Sequence, residues 1–193
     1  MRTKTPSFQL DADIDVPLPD ADPADDEAGF LYSKDGAVRV NYFLLRVELA
    51  SIEGKVYDLL YSTRSKKVSS AERSLRVQKL SRSLDRWLRK IPPRMQFDVI
   101  SQSLGLVVVN HMAMMYHVYH MSLILVHGIY SYDADWVRKI SSHSKFAITT
   151  KSNNTTRSES GPPLPHGWAA CVNASRSCMR LFQESDQRDC LVW

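Results

Sequence analysis

Thirty-four consecutive residues, 99–132, contain no Asp, Glu, Lys or Arg. A run that long either crosses a membrane or lies inside a protein, because ~20 apolar residues suffice to span a bilayer. Its contents separate the two readings. Ser101, Gln102, Ser103, Asn110, Ser122 and four histidines, His111, His117, His120 and His127, would each demand a partner in hydrocarbon. A central helix surrounded by other helices explains the same pattern, since such a helix is apolar on nearly every side. This reading requires amphipathic helices to surround it, and the rest of the chain supplies them.

From Val38 to Tyr61, Leu45, Leu49, Ile52, Val56, Leu59 and Leu60 recur at steps of three and four, one stripe on a helix. Ser69, with Glu72 three residues later, fits a capping box that opens a second helix. Val77, Leu80, Leu84, Trp87, Leu88 and Ile91 form its apolar stripe, and Pro92-Pro93 stops it. A last helix is expected from about Trp168 to Glu184, with Ala169, Val172, Arg176, Met179 and Phe182 continuing the helical step. Runs of Val, Ile and Thr with period-two alternation are missing, so no sheet is expected. The fold class is all-α, a helical bundle-like array. Residues 141–167, rich in Ser, Thr and Asn and closed by Pro and Gly, read as a mobile polar loop.

Length and charge organise these elements. The 193 residues correspond to one domain with appendages, and 44% hydrophobic with 24% charged content excludes collagen-like or wholly disordered chains. The net charge of +4 hides two opposite regions. Residues 11–29 hold eight acids and no base, and residues 64–94 hold eleven Lys/Arg against Glu72 and Asp85. An acidic, Pro-containing stretch with few large apolar residues buries too little surface to offset its ordering entropy. Residues 1–37 are therefore expected to be an acidic, largely extended and flexible segment, and residues 38–193 the helical domain. Met1–Pro6 is not followed by an apolar run, so no secretory signal is expected. The sequons at Asn153, Asn154 and Asn173 are discounted on that basis.

Chemistry is sparse. Three cysteines, Cys171, Cys178 and Cys190, cannot build a disulfide framework or a four-cysteine zinc site. His117, His120 and His127 share one helical face and are the only metal-like set, but no neighbouring Asp, Glu or Cys completes a coordination shell. Histidines packed in a core explain them better. No GxSxG elbow and no glycine-rich phosphate loop is present, and Cys171 and Cys178 have the spacing of packing residues, so no enzyme is expected. Arg73, Arg76, Lys79, Arg82, Arg86, Arg89 and Lys90 give the second helix a basic outer surface, a candidate partner- or phosphate-facing site. No aromatic residue interleaves there to stack bases. A solvated face, paired with the acidic N-terminal segment, is the simpler account.

The order of the segments is specific where single motifs are not. Phe8 to Pro19 resembles the acidic "D-x-D-I-D-V-x-L-P" passage of the fungal-specific transcription factor domain, the middle homology region of fungal zinc binuclear cluster regulators. Leu49 to Ser62 is similar to that family's "L-x-x-I-x-G-K-I-Y-x-x-L-Y-S" helix, and Leu80 to Pro93 to its "L-x-x-x-L-x-x-W-x-x-x-(L/I)-P" helix. Tyr119-His120 with Ile124 to His127 resembles "Y-H-x-x-x-I-L-L-H-R-P", with Gly128-Ile129 in place of Arg-Pro. Cys171 to Arg176 resembles "C-x-x-A-A-R".

The resemblance spans nearly the whole chain and implies an incomplete, non-catalytic regulatory domain in the nucleus. It would modulate transcription through contacts with protein partners or with other parts of a longer regulator. DNA is involved only indirectly, no membrane is expected, and a homodimer is a further expectation. The family's zinc cluster is absent from these residues, so no cofactor is expected. Two other classes remain open from the residues alone: a helical protein-interaction module without a transcriptional role, and a membrane-associated protein using 99–132.

Overall fold

The computed structural model describes residues 16–24, 29–132, 134–152 and 164–184. It opens on a small hairpin in which β1 (Phe30–Tyr32) pairs antiparallel with β2 (Arg39–Asn41), Phe30 opposite Asn41 and Tyr32 opposite Arg39. Six helices follow among the described residues: α1 (Tyr42–Val56), α2 (Ser70–Leu88), the single-turn α3 (Ile100–Ser103), α4 (Leu106–Gly128), α5 (Ala134–Ser152) and α6 (Trp168–Glu184). A wide π turn, Tyr57–Tyr61, continues α1 and ends where Ser62 N–H bonds the Tyr57 carbonyl at 2.9 Å. The chain is all-α apart from the hairpin.

That hairpin corrects two expectations: it adds a sheet, and it places Arg39–Asn41 in a strand rather than a helix. Its turn is built from Ser33, Asp35 and Gly36. Ser33 Oγ donates to Asp35 Oδ1 at 2.6 Å and accepts from Val38 N at 3.0 Å, while Gly36 takes φ +68°. Asp and Gly supply the local hydrogen bond and the left-handed residue that such a turn needs. The Ser33 hydroxyl, and then the Arg94 guanidinium 2.8 Å away, hold the Asp35 carboxyl well below the usual carboxylate range. Three-residue strands are too short to display alternation, which is why the sequence pattern hides them. Asn41 then switches strand to helix, its side chain accepting from Leu44 N at 2.9 Å. Residues 30–37, expected to be part of the extended segment, are thus in the hairpin.

α2 starts at the expected cap, where Ser69 Oγ accepts from Glu72 N at 3.2 Å. The Glu72 carboxylate turns instead to Arg76, at 2.8 Å. The loop expected at 141–167 is corrected too: 141–152 belong to α5, and residues 153–163 lie outside the described residues. The serines that suggest a loop are satisfied within the helix. Ser141 Oγ donates to the Val137 carbonyl at 2.8 Å and Ser142 Oγ to Arg138 at 2.9 Å, each four residues back. Trp136, Ile140 and His143 form its half-buried stripe.

α4 occupies the centre, as its lack of charge predicts. Val109, Met112, Ala113, Met115, Tyr116, Tyr119 and Val126 are buried along it, against α1, α2 and α6. Trp87 of α2 locks three helices together: its Nε1 donates to the Leu45 carbonyl of α1 at 2.9 Å, and its ring stacks on Tyr119 of α4 at 5.5 Å. Tyr116 Oη donates to the Met95 carbonyl at 3.0 Å, pinning the chain that follows Pro92-Pro93. Buried Ser122 bonds the Val118 carbonyl at 2.9 Å. No helix among the described residues is long and apolar enough to cross a membrane. Gly167 (φ +78°) opens α6 with its Cα against His127, where an added Cβ would lie 3.1 Å from that residue's Cβ.

Candidate partner-binding surfaces

The seven basic residues of α2 and its end divide by what they touch. Arg76 Nε meets the Glu72 carboxylate at 2.8 Å and its Nη1 donates to the Leu59 carbonyl at 3.1 Å, tying α2 to the π turn. Lys90 Nζ reaches Glu48 of α1 at 2.5 Å. These two are staples within the fold, and Arg73 is half-buried. Lys79, Arg82, Arg86 and Arg89 are exposed and line one open groove of about 570 Å³ with Ser83 and Asp85. Four cations and one carboxylate make that groove strongly positive. Spacing alone identifies the face; only the position of α1 shows which cations are already engaged.

The three candidate metal ligands go to different tasks. His120 is buried, edge-on to Phe97 at 5.9 Å and Tyr119 at 5.2 Å. Burial, and secondarily His117 nearby, push its pKa down to about 4, so its ring is neutral. Neither of its nitrogens has a hydrogen-bond partner among the described residues. His127 Nε2 shares a 3.0 Å hydrogen bond with Ser81 Oγ of α2, and burial first, then His166, lower its pKa. Among the described residues no three His, Cys, Asp or Glu side chains lie close enough to hold a metal ion. Cys171 and Cys178 pack toward α4, Cys171 Sγ lying 3.8 Å from the Ile124 carbonyl. Burial raises both thiols, which disfavours the nucleophilic thiolate.

A second surface escapes the sequence pattern. α6 turns Ala174, Cys178 and Leu181 inward on α4. Of the stripe expected there, Ala169, Val172, Arg176 and Met179 face outward or lie at the margin, and the Phe182 side chain lies outside the described residues. Trp168 is 47% exposed and Met179 66% exposed. Together with Val172, Arg176 and Arg180 they line an apolar groove of about 570 Å³. Inward small residues let two helices approach closely; a helix carrying two apolar stripes gives no sign in its sequence of which one is inside. Leu106, Val107, Met121 and Leu125 of α4 are also exposed.

Comparison with known proteins connects this chain to named transcription regulators. No family model matches it, and no solved structure matches it significantly. Two curated relatives do, both called ABC-transporter-regulating transcription factors, from Aspergillus fumigatus and Aspergillus oryzae. Each is 26% identical over 196 residues, covering all of this chain and 21% of the relative. The comparison supports a fungal transcription factor. The chain spans about one fifth of the length of these relatives.

Proposed function

We propose that these residues are a regulatory, non-DNA-contacting portion of a fungal transcription factor, corresponding to the middle homology region of zinc binuclear cluster regulators. The observation that carries this reading is the end-to-end alignment, which leaves no part of the chain without a counterpart in the two regulators. The ordered helix motifs agree with it, because Trp87, Leu80, Leu84 and Ile91 of one motif are buried core residues. The exposed grooves on α2 and α6 would then carry contacts with protein partners or with other parts of a longer regulator. The names of the relatives extend the proposal to the control of ABC transporters, acting in the nucleus. The chain works without catalysis or cofactor.

The test is a fusion of the 193 residues to a heterologous DNA-binding domain that drives a reporter gene. A several-fold change in output relative to the DNA-binding domain alone is expected. Unchanged output would overturn the regulatory role. In a gel-shift at physiological salt with excess unrelated DNA, the chain alone should show no sequence-selective complex. Selective binding would overturn the non-DNA-contacting part.

A further inference from the structure

The central helix α4 is covered on three sides. α1 lies along one edge, where the Tyr42 ring meets His111 edge-on at 5.5 Å and Tyr61 Oη donates to the Leu125 carbonyl. α2 and the segment after Pro92-Pro93 close the back, through the Trp87–Tyr119 stack and the Phe97 ring against Tyr116 and His120. α6 lies along the other edge, with Cys171 Sγ near the Ile124 carbonyl. Among the described residues the fourth side is open. Val107, Met114, Val118, Met121 and Leu125 recur there at steps of seven, four, three and four, one line on a helix. Val107, Met121 and Leu125 are exposed, and Met114 and Val118 are half-buried.

The flanking helices extend this face. One edge of α6 is turned to the back, since Arg180 lies over the Phe97 ring at 5.1 Å and reaches Asp98 at 3.6 Å. Cys171 is half a turn round from Arg180 at 3.6 residues per turn. The Cys171 edge, with Trp168, Ser175 and Met179, therefore continues the open side of α4. On the other margin Arg46 lies over the Tyr42 ring at 5.7 Å and, with Ala50 one turn on, is exposed. We propose that this open face, centred on Met114, Val118 and Met121 of α4, is the interface of a two-fold symmetric homodimer.

Its size suits a stable dimer. From Val107 to Leu125 is about 27 Å along the axis, at 1.5 Å per residue. Three helices packed about 9 Å apart present a width of roughly 25–30 Å. The footprint is about 700–800 Å² on each copy, close to the ~800 Å² per partner of a standard protein interface. An apolar patch of more than a few hundred Å² is unusual on a monomer, whereas a scattered Leu or Met is not.

Composition and charge agree. Interface centres are depleted of charged residues and enriched in aromatic residues, Met and Arg. Here Met114, Met121, Met179 and Trp168 supply the apolar part, and Arg46 stands at the margin. The absence of charge on α4 is what favours a second copy as the occupant. A two-fold axis sets the residues near it against their own counterparts, so a charge beside the axis would face its like. Residues 99–132 hold no Asp, Glu, Lys or Arg, and α4 meets α4 across the axis without repulsion.

The inference stands on exposure, area and charge, and holds whether or not the chain regulates transcription. Its test begins with sedimentation equilibrium of the full chain. A discrete dimer in exchange with monomer is expected, with a Kd below about 10 µM, since interfaces of this size range from µM to pM. Met121→Glu sets a carboxylate from each copy into the interface and should weaken association at least about tenfold. Leu75→Glu, at an exposed position of α2 away from the face, should leave it unchanged. The wild type supplies a readout that no folding defect can confuse. Oxidation of Met121 and Met179 by hydrogen peroxide, located by mass spectrometry, should slow about threefold or more as the protein concentration rises through the Kd.

A monomer at every concentration overturns the proposal, as do polydisperse aggregates without a discrete dimer. So does a dimer in which Met121 and Met179 oxidise as fast as in the monomer, or one that Met121→Glu leaves intact. Protection of the two methionines gained by a monomer only on adding phosphatidylglycerol vesicles would assign the face to lipid and refute the dimer.

Discussion

α2 and α6 both lie against the central helix, yet they use their residues in opposite ways. α2 has one apolar stripe, Val77, Leu80, Leu84 and Trp87, all buried, and a charged outer side. α6 has an inner stripe of mostly small residues, Ala174, Cys178 and Leu181, and an outer one containing Trp168, Val172 and Met179. Apolar periodicity shows that a helix has a neighbour, and in α2 that is enough to place it. In α6 the choice of inner face is made by closeness of approach, which hydrophobicity does not encode. The larger apolar side chains are left outside, available to a partner.

The sharpest way to break this contrast is at Trp87. Trp87→Ala removes a buried ring, its stack on Tyr119 and its bond to the Leu45 carbonyl, and should cost about 3–5 kcal/mol in denaturant unfolding. A loss below about 1 kcal/mol would mean that α2 is not docked through this residue. Leu181→Ala comes next, at about 2–4 kcal/mol, because the side chain is buried under α6. If it proved neutral, the inner face of α6 would be misassigned.

His120 sharpens the comparison from the side of α4. Its pKa, lowered to about 4 in the fold from 6.5, means that the unfolded chain takes up a proton first as pH falls. Its contribution to stability is constant above about pH 6.5, falls as pH drops from there toward 4, and is flat below. His120→Leu should flatten this slope and, because neither ring nitrogen has a partner among the described residues, raise stability at pH 7 by about 1 kcal/mol. A melting series whose pH slope survives the substitution would assign it to another group. The smallest effect is expected at Met179→Ser, within about 0.5 kcal/mol, because the side chain faces solvent. Should it match Leu181→Ala, the two stripes of α6 would be equivalent.

Legibility followed the same physics. The cap at Ser69, the stop at Pro92-Pro93 and the buried course of α4 could be read directly, because each is set by local chemistry or by an unbroken composition. The hairpin at 30–41 could not, since its strands are three residues long and its order comes from the Ser33–Asp35–Gly36 turn. α5 was hidden by serines whose hydroxyls bond back to the helix itself. Among the candidate site residues, the basic set was visible as a set, but Arg76 and Lys90 are held by Glu72 and Glu48, and the Glu48 contact spans 42 residues of sequence. The histidines share a helical face, but His120 lies among aromatic rings and His127 is bonded to Ser81, contacts that lie beyond any local pattern.

The central claim is that the long uncharged run is a core helix wrapped by amphipathic neighbours. Amide hydrogen exchange of the full chain tests it most directly, read both in buffer and with anionic lipid vesicles. The account predicts that amides between Val109 and Val126 exchange slowest in buffer and are unaffected by lipid, while those of α5 exchange faster. Fast exchange across 109–126 in buffer, with protection gained only on adding vesicles, would contradict it.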